Sequence, residues 1–340
     1  MSSIEELHLL IPGLLPDLAG REQNDFPQPD TPSLALLLAR GALASQAGRS
    51  GHELLFSVLG GDCDVLPVAP YSYLARTGTA EDRWLVQADL VCLRPDRDSL
   101  LLYPAEDCGL TEDESRQLYE SVCEHFPELA DDLICEGTRW YLRCSEKPQL
   151  PVSALDQIAG TPLPGRFLDD MEPHWRALLN ELQMLFYSHP VNQRREEKGM
   201  VPINGLWFWG SGRLADDHTK AWQCLVGASE VLQGLAKHHG LQWTAEDAHF
   251  QPESLEGRSL VLLTDTKDCA KHLDVFAWRD ALQSLESRWF APLLRALQRG
   301  QCRRVFLYGG DGRCWSIGRS DLWRVWRRPQ KLSRYLAVSE

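Results

Sequence analysis

Four short apolar runs limit what this chain can fold into. They are Leu7–Ile11, Ile203–Trp209, the stretch Ser259-Leu-Val-Leu-Leu-Thr264, and Arg304-Val-Phe-Leu-Tyr308. Three of them stop at turn residues: Pro12-Gly13, Gly210-Ser211-Gly212 and Gly309-Gly310-Asp311-Gly312. An apolar run of this length, closed by glycine or proline, reads as a buried strand delivering a loop at its carboxyl end. Between the runs lie stretches with helical spacing. Residues 31–45 open with a capping threonine and a proline at the first helical position. Further helices are expected over 53–59, 170–187, 219–239 and 278–299. Strands alternating with helices predict a largely parallel sheet covered on both faces. Open sheets of this kind hold ligands at the carboxyl ends of their strands.

The middle of the chain has a different character. Residues 83–93 alternate, 99–103 offer a partner strand, Thr111-Glu-Asp-Glu opens a helix with a capping-box pattern, and 133–144 supplies further strands. This block reads as an independent α/β unit. A proline-rich linker over 147–165 and the helix over 170–187 follow it. The expected organisation is a core from residues 1–60 and 200–340, interrupted by a smaller α/β domain over 61–199.

With 340 residues and a net charge of −13, the chain can bury a large core and is unsuited to bulk binding of nucleic acid or anionic membranes. No run approaches the roughly 18 apolar residues of a membrane span. The start, Met1-Ser-Ser-Ile-Glu-Glu, lacks the basic region of a signal peptide. Ten cysteines without a Cys-x-x-Cys pair are expected to be reduced thiols of a cytoplasmic protein. The run from Arg319 to Arg334, interleaved with Trp323 and Trp326, is the one basic, aromatic segment; it could contact nucleic acid by stacking and phosphate pairing, but reads first as a solvated strand and tail countering an acidic body.

The stretch 189–213 concentrates polar groups around the second apolar run. Asn192, Arg194, Arg195 and Lys198 are donors suited to an anion, and a guanidinium fork matches phosphate or carboxylate geometry. Its literal sequence, with His189-Pro-Val-Asn-Gln-Arg-Arg, Pro202-Ile-Asn204 and Trp207-Phe-Trp-Gly-Ser-Gly212, resembles a motif of archaeal-type cofactor-independent phosphoglycerate mutases. Those enzymes are a branch of the alkaline phosphatase superfamily. Residues 31–41, Thr-Pro-Ser-Leu-Ala-Leu-Leu-Leu-Ala-Arg-Gly, resemble a helix that recurs across the superfamily. The chain also resembles a divergent proteobacterial group named as Rpf E-type regulatory proteins.

The resemblance implies an alkaline phosphatase-like core with an inserted α/β domain. It also implies a serine or threonine nucleophile flanked by two divalent metals (manganese, zinc or magnesium). Ser50 falls near the nucleophile position. Asp268, His272 and Asp311 match metal-ligand positions, and Asn192, Arg195, Asn204, Gly210, Gly212 and Arg213 match substrate-binding ones. Elsewhere the pattern has decayed. Ile11-Pro12-Gly13 stands where the family has a ligating Asp-Gly, with Asp17 the nearest substitute, and two histidines have no counterpart. Two metals act together on the attacking and leaving oxygens, so lost ligands strike at catalysis itself. Three readings follow: a non-catalytic regulatory or phosphometabolite-binding relative that needs no metal, an active mutase with displaced ligands, and an interaction module with a protein partner.

Overall fold

The computed structural model of the chain describes residues 4–16, 28–45, 51–60, 66–96, 99–150, 154–164, 171–215, 221–245 and 249–336. In chain order, the first unit starts with β1 (Ile4–Leu10), α1 (Pro32–Arg40), β2 (Ala42–Ser45) and α2 (Gly51–Leu59). The second unit opens with α3 (Val68–Thr77), β3 (Trp84–Asp96), β4 (Ser99–Pro104), α4 (Glu112–His125) and α5 (Pro127–Ala130). It continues through β5 (Leu133–Glu136), β6 (Arg139–Cys144), α6 (Leu155–Ile158) and β7 (Pro162–Pro164). α7 (Pro173–Tyr187), α8 (Pro190–Glu197) and β8 (Gly205–Gly212) complete it. The first unit then resumes with β9 (Cys224–Val226), α9 (Glu230–His239), β10 (Gln242–Thr244), β11 (Gly257–Leu262) and α10 (Lys267–Lys271). α11 (Val275–Leu285), a π-helical turn (Glu286–Phe290), α12 (Ala291–Arg299), β12 (Cys302–Tyr308) and β13 (Arg313–Gly318) follow.

The first unit, residues 1–63 with 216–340, is built on a seven-stranded sheet in the order β10-β9-β11-β1-β12-β13-β2. The five strands from β10 to β12 run parallel; β13 and β2 are antiparallel at one edge. On one face, Leu7, Leu9 and Ile11 pack with Val261, Leu263, Val305 and Leu307 against leucines of α1, α11 and α12. The alternation of the pleat puts His8, Phe306 and Tyr308 on the other face. The expected α/β class and mostly parallel core sheet are what the molecule has.

The π turn has a structural use. α1 begins at Pro32 and its Thr31 makes no side-chain cap. The buried Glu286 carboxylate accepts instead from the Ser33 and Leu34 amides, at 2.8 and 3.1 Å. Negative charge at a helix amino end satisfies unpaired N–H groups and complements the dipole.

Three expectations are corrected. First, residues 219–239 are not one helix. Cys224–Val226 is a strand between β10 and β11, Gly227 turns the chain at φ +145°, and α9 starts only after Ser229, whose hydroxyl accepts from Leu232 N. The apolar residues at helical spacing across this break belong to two elements. Second, β8 does not join the core sheet. It pairs antiparallel with β3, from Val91↔Gly205 to Leu85↔Gly212, in the second unit. Every residue of β8 is buried, so periodicity carries no information on which sheet it enters. Third, the segment after β13 is not a strand but 3-10 turns at Arg319–Trp323 and Leu332–Arg334.

The second unit, residues 64–215, holds an antiparallel sheet, β5-β6-β3-β4-β7, with β8 also on β3. The chain therefore returns to the first unit after residue 215 rather than near 200. Val86, Ala88, Leu90 and Cys92 of β3 pack with Leu118 and Val122 of α4, Leu182 and Phe186 of α7, and Phe208 of β8. α4 opens with the expected capping box between Thr111 and Glu114.

Candidate functional site

The carboxyl end of the parallel sheet in the first unit is where this fold class places ligands. Beyond β1, the Gly13 loop is pinned by Thr266 Oγ1 donating to Pro12 O at 2.8 Å and Trp278 Nε1 donating to Gly13 O at 2.9 Å. Any Cβ on Gly13 would stand 2.6 Å from Ala270 Cβ, so this approach needs a glycine, as does its φ of +81°. Past β11, Asp265 is ion-paired with Arg288. Past β12, Asp311 accepts from the Arg313 backbone at 3.1 Å and is ion-paired with the Arg313 guanidinium, which also donates to Tyr335 O.

The residues proposed to hold metal are arranged otherwise. Asp268 and His272 lie one turn apart at the two ends of α10 and are exposed. Asp274, their neighbour, caps α11 through Ala277 N at 3.0 Å. Among the described residues, no three histidine, cysteine, aspartate or glutamate side chains are grouped to hold an ion. Asp268, His272 and Asp311 thus do not fit a two-metal centre as they stand. Ser50 and Asp17 lie outside the described residues.

The structure places the 189–213 stretch entirely in the second unit, and it corrects the anion-binding reading of Asn192 and Arg195. Arg195 is 1% exposed. Its Nε donates to Val201 O at 2.9 Å, Nη2 to Cys108 O at 2.6 Å, and Nη1 to Glu114 Oε2 at 2.9 Å. That glutamate is the capping-box residue of α4, so one guanidinium ties α8, the 105–110 turn and the start of α4 together. Asn192 donates to Phe186 O and Ile203 O, both at 2.7 Å, and accepts from Ile203 N at 2.8 Å. Asn204 pairs with both backbone groups of Leu93, at 2.7 and 2.9 Å, extending the β8–β3 ladder with a side-chain amide.

The two glycines serve packing. Gly210, at φ +64°, sits at a bulge where two residues of β8, Gly210 and Ser211, face one of β3, Val86, and a Cβ there would meet Val68 Cβ at 2.9 Å. A Cβ on Gly212 would lie 2.7 Å from Pro67 Cα. They let α3 lie against β8; they do not form a phosphate loop. Arg213 is exposed, with its guanidinium 5.5 Å from the Trp84 ring centre.

His189 caps α8: its Nδ1 accepts from Val191 N at 3.1 Å, so the neutral ring carries its proton on Nε2 and donates to Ser121 Oγ at 2.8 Å. Burial and, second, Arg194 lower its pKa, consistent with a cap that needs the neutral form.

Two polar clusters escaped the sequence reading. Asp89, buried on β3, accepts from Gln87 Nε2 at 2.9 Å, Trp209 Nε1 at 2.6 Å and Arg139 Nη1 at 3.0 Å. Arg139 is also 2.9 Å from Glu106. In the first unit, buried His8 has Nδ1 2.8 Å from Tyr308 Oη and stacks on Phe306 at 4.4 Å. Burial, and then Arg258, push its pKa down to about 3. The signal in each case was a polar residue within a mostly apolar run, His8 in Leu7–Ile11 and Asp89 in 84–93.

Comparison with known proteins bears on the fold. No family profile matches the chain. A curated protein of Geobacter sulfurreducens, described as "Probable 2,3-bisphosphoglycerate-independent phosphoglycerate mutase", is 35% identical over 69 residues. That match spans 19% of this chain and only 17% of the curated relative. The solved PH0037 protein from Pyrococcus horikoshii is 15% identical with a TM-score of 0.52, covering 94% of this chain and 88% of that one. The chain shares its fold. The cofactor-independent phosphoglycerate mutase from Thermoplasma acidophilum aligns with a TM-score of 0.47 at 17% identity, over 94% of this chain and 90% of that one.

Proposed function

We propose that this chain is a non-catalytic relative of the cofactor-independent phosphoglycerate mutases, of the Rpf E-type branch, working as a regulatory, protein-binding molecule in the cytoplasm. One observation carries the reading: two aspartates past the carboxyl ends of the core strands, Asp265 and Asp311, are each ion-paired with an arginine of the chain itself. A carboxylate already paired with a guanidinium is a poor ligand for a metal ion, and a guanidinium does not coordinate and activate an oxygen nucleophile as a metal pair does. Ile11-Pro12-Gly13, where the resemblance implies a ligating aspartate, supports the same conclusion. With Asn192 and Arg195 engaged inside the second unit, a phosphorylated ligand would need other side chains to hold it. The regulatory role rests on the resemblance to the Rpf E-type proteins.

The short match to the Geobacter protein favours a second reading, an active mutase with displaced ligands. A coupled assay of 3-phosphoglycerate to 2-phosphoglycerate conversion separates the two. The expected result is no protein-dependent turnover with Mg²⁺, Mn²⁺ or Co²⁺. Turnover that disappears in Ser50→Ala would establish the enzyme instead.

A further inference from the structure

The C-terminal arm, in the first unit, carries an unabsorbed surface. Leu332 and Leu336 are buried in the core, and Trp315 meets Tyr335 edge to face at 6.3 Å. Arg324 Nη1 donates to Arg40 O at 3.1 Å and Arg327 Nη1 to Gly41 O at 3.0 Å. The arm is therefore tied to the end of α1 and the start of β2. Held this way, it nevertheless leaves Trp323 77%, Val325 66% and Trp326 74% exposed. Leu43, on the neighbouring strand β2, is 60% exposed. A groove of about 380 Å³ lies at Trp326, lined also by Arg328 and Tyr335 among others. Four large apolar side chains gathered on an anchored arm and an adjoining strand exceed the scattered exposure of an ordinary surface. They also match the tryptophan and arginine enrichment of interface centres.

We infer that this surface docks an acidic, apolar-studded segment of a partner protein alongside β2. Charge selects the sign of the partner. Residues 319–334 hold six arginines and lysines against the single acid Asp321, in a chain whose net charge is −13. Backbone geometry selects a peptide. Among the described residues β2 is the last strand of its sheet, paired with β13 alone, and an edge strand offers N–H and C=O groups that an extended peptide can use. Whole-molecule charge disfavours the other polyanions. A membrane or a nucleic acid is extended and feels the acidic body, whereas a short segment interacts mainly within the Debye length of about 8–10 Å. The inference holds whether or not the chain turns over phosphoglycerate.

The test is selection from a random dodecapeptide library with the full chain as bait, followed by affinity measurement against Trp326→Ala/Arg328→Glu. Both side chains are exposed, so the variant should fold, as checked by circular dichroism. Enriched peptides combining Asp or Glu with Leu, Phe or Trp, and bound at least tenfold more weakly by the variant, support the proposal. No enrichment, or equal affinity for the variant, overturns it. So do three alternatives in which the same variant abolishes another association: with phosphatidylglycerol vesicles, with a single-stranded oligonucleotide, or of the chain with itself in sedimentation.

Discussion

Arg195 shows how a residue type can be legible while its use is not. The sequence displays a guanidinium two positions from a helix end, and an anion receptor and an internal tie are equally good uses of it. The fold decides, because the 105–110 turn and Glu114 come to it from more than eighty residues upstream. Removing a partner of a buried ion pair costs more than an exposed pair is worth. Arg195→Ala should lower unfolding stability by about 3 kcal/mol in urea titrations, and inorganic phosphate should not protect the parent more than the variant. Equal midpoints would return Arg195 to the surface chemistry first expected of it. His8 adds a pH dependence. Its folded pKa of about 3 lies below the unfolded value, so the folded state binds fewer protons and stability is complete above pH 6.5 and falls as pH drops. Between pH 6.5 and 5 the loss from this group should be about 2 kcal/mol. His189, lowered as well, acts in the same direction. In His8→Gln the pH slope of stability over that window should flatten, measured by denaturant unfolding at each pH.

Elements were legible where local signals agreed. The capping box at Thr111 and Glu114 and the proline start of α1 were both readable, because capping is a contest settled within one turn. The break inside 219–239 was not, since a three-residue strand leaves no periodicity of its own. Gly210 and Gly212 were conspicuous, but their purpose depends on α3, which packs on them from a segment with no motif. Gly212→Ala should destabilise by about 1–3 kcal/mol through overpacking against Pro67, and Gly210→Ala should add the penalty of a left-handed Cβ. Thermal unfolding of each single variant tests this; unchanged midpoints would mean the helix and strand are further apart than described. Glu286→Ala should cost about 1–2 kcal/mol by uncapping α1, seen as a lower urea midpoint without loss of the overall fold.

At the scale of the molecule, the second unit has its own sheet and its own buried cluster, so residues 64–215 expressed alone should unfold cooperatively. A broad, non-cooperative melt of that fragment would contradict the independence of its core. By itself the sequence determined the α/β class, three of the four strands placed in the parallel sheet, and the presence of an inserted α/β block. These follow from short-range periodicity and turn residues, which act within a few positions of themselves. Only the tertiary structure decided that β8 belongs to the second unit and that Asn192, Arg195 and Asn204 brace it. It also paired Asp265 and Asp311 with arginines and left Trp323 and Trp326 outside. Pairing partners and exposure are set by residues distant in the chain, and a fully buried strand or a lone arginine carries no local mark of which neighbour it will meet.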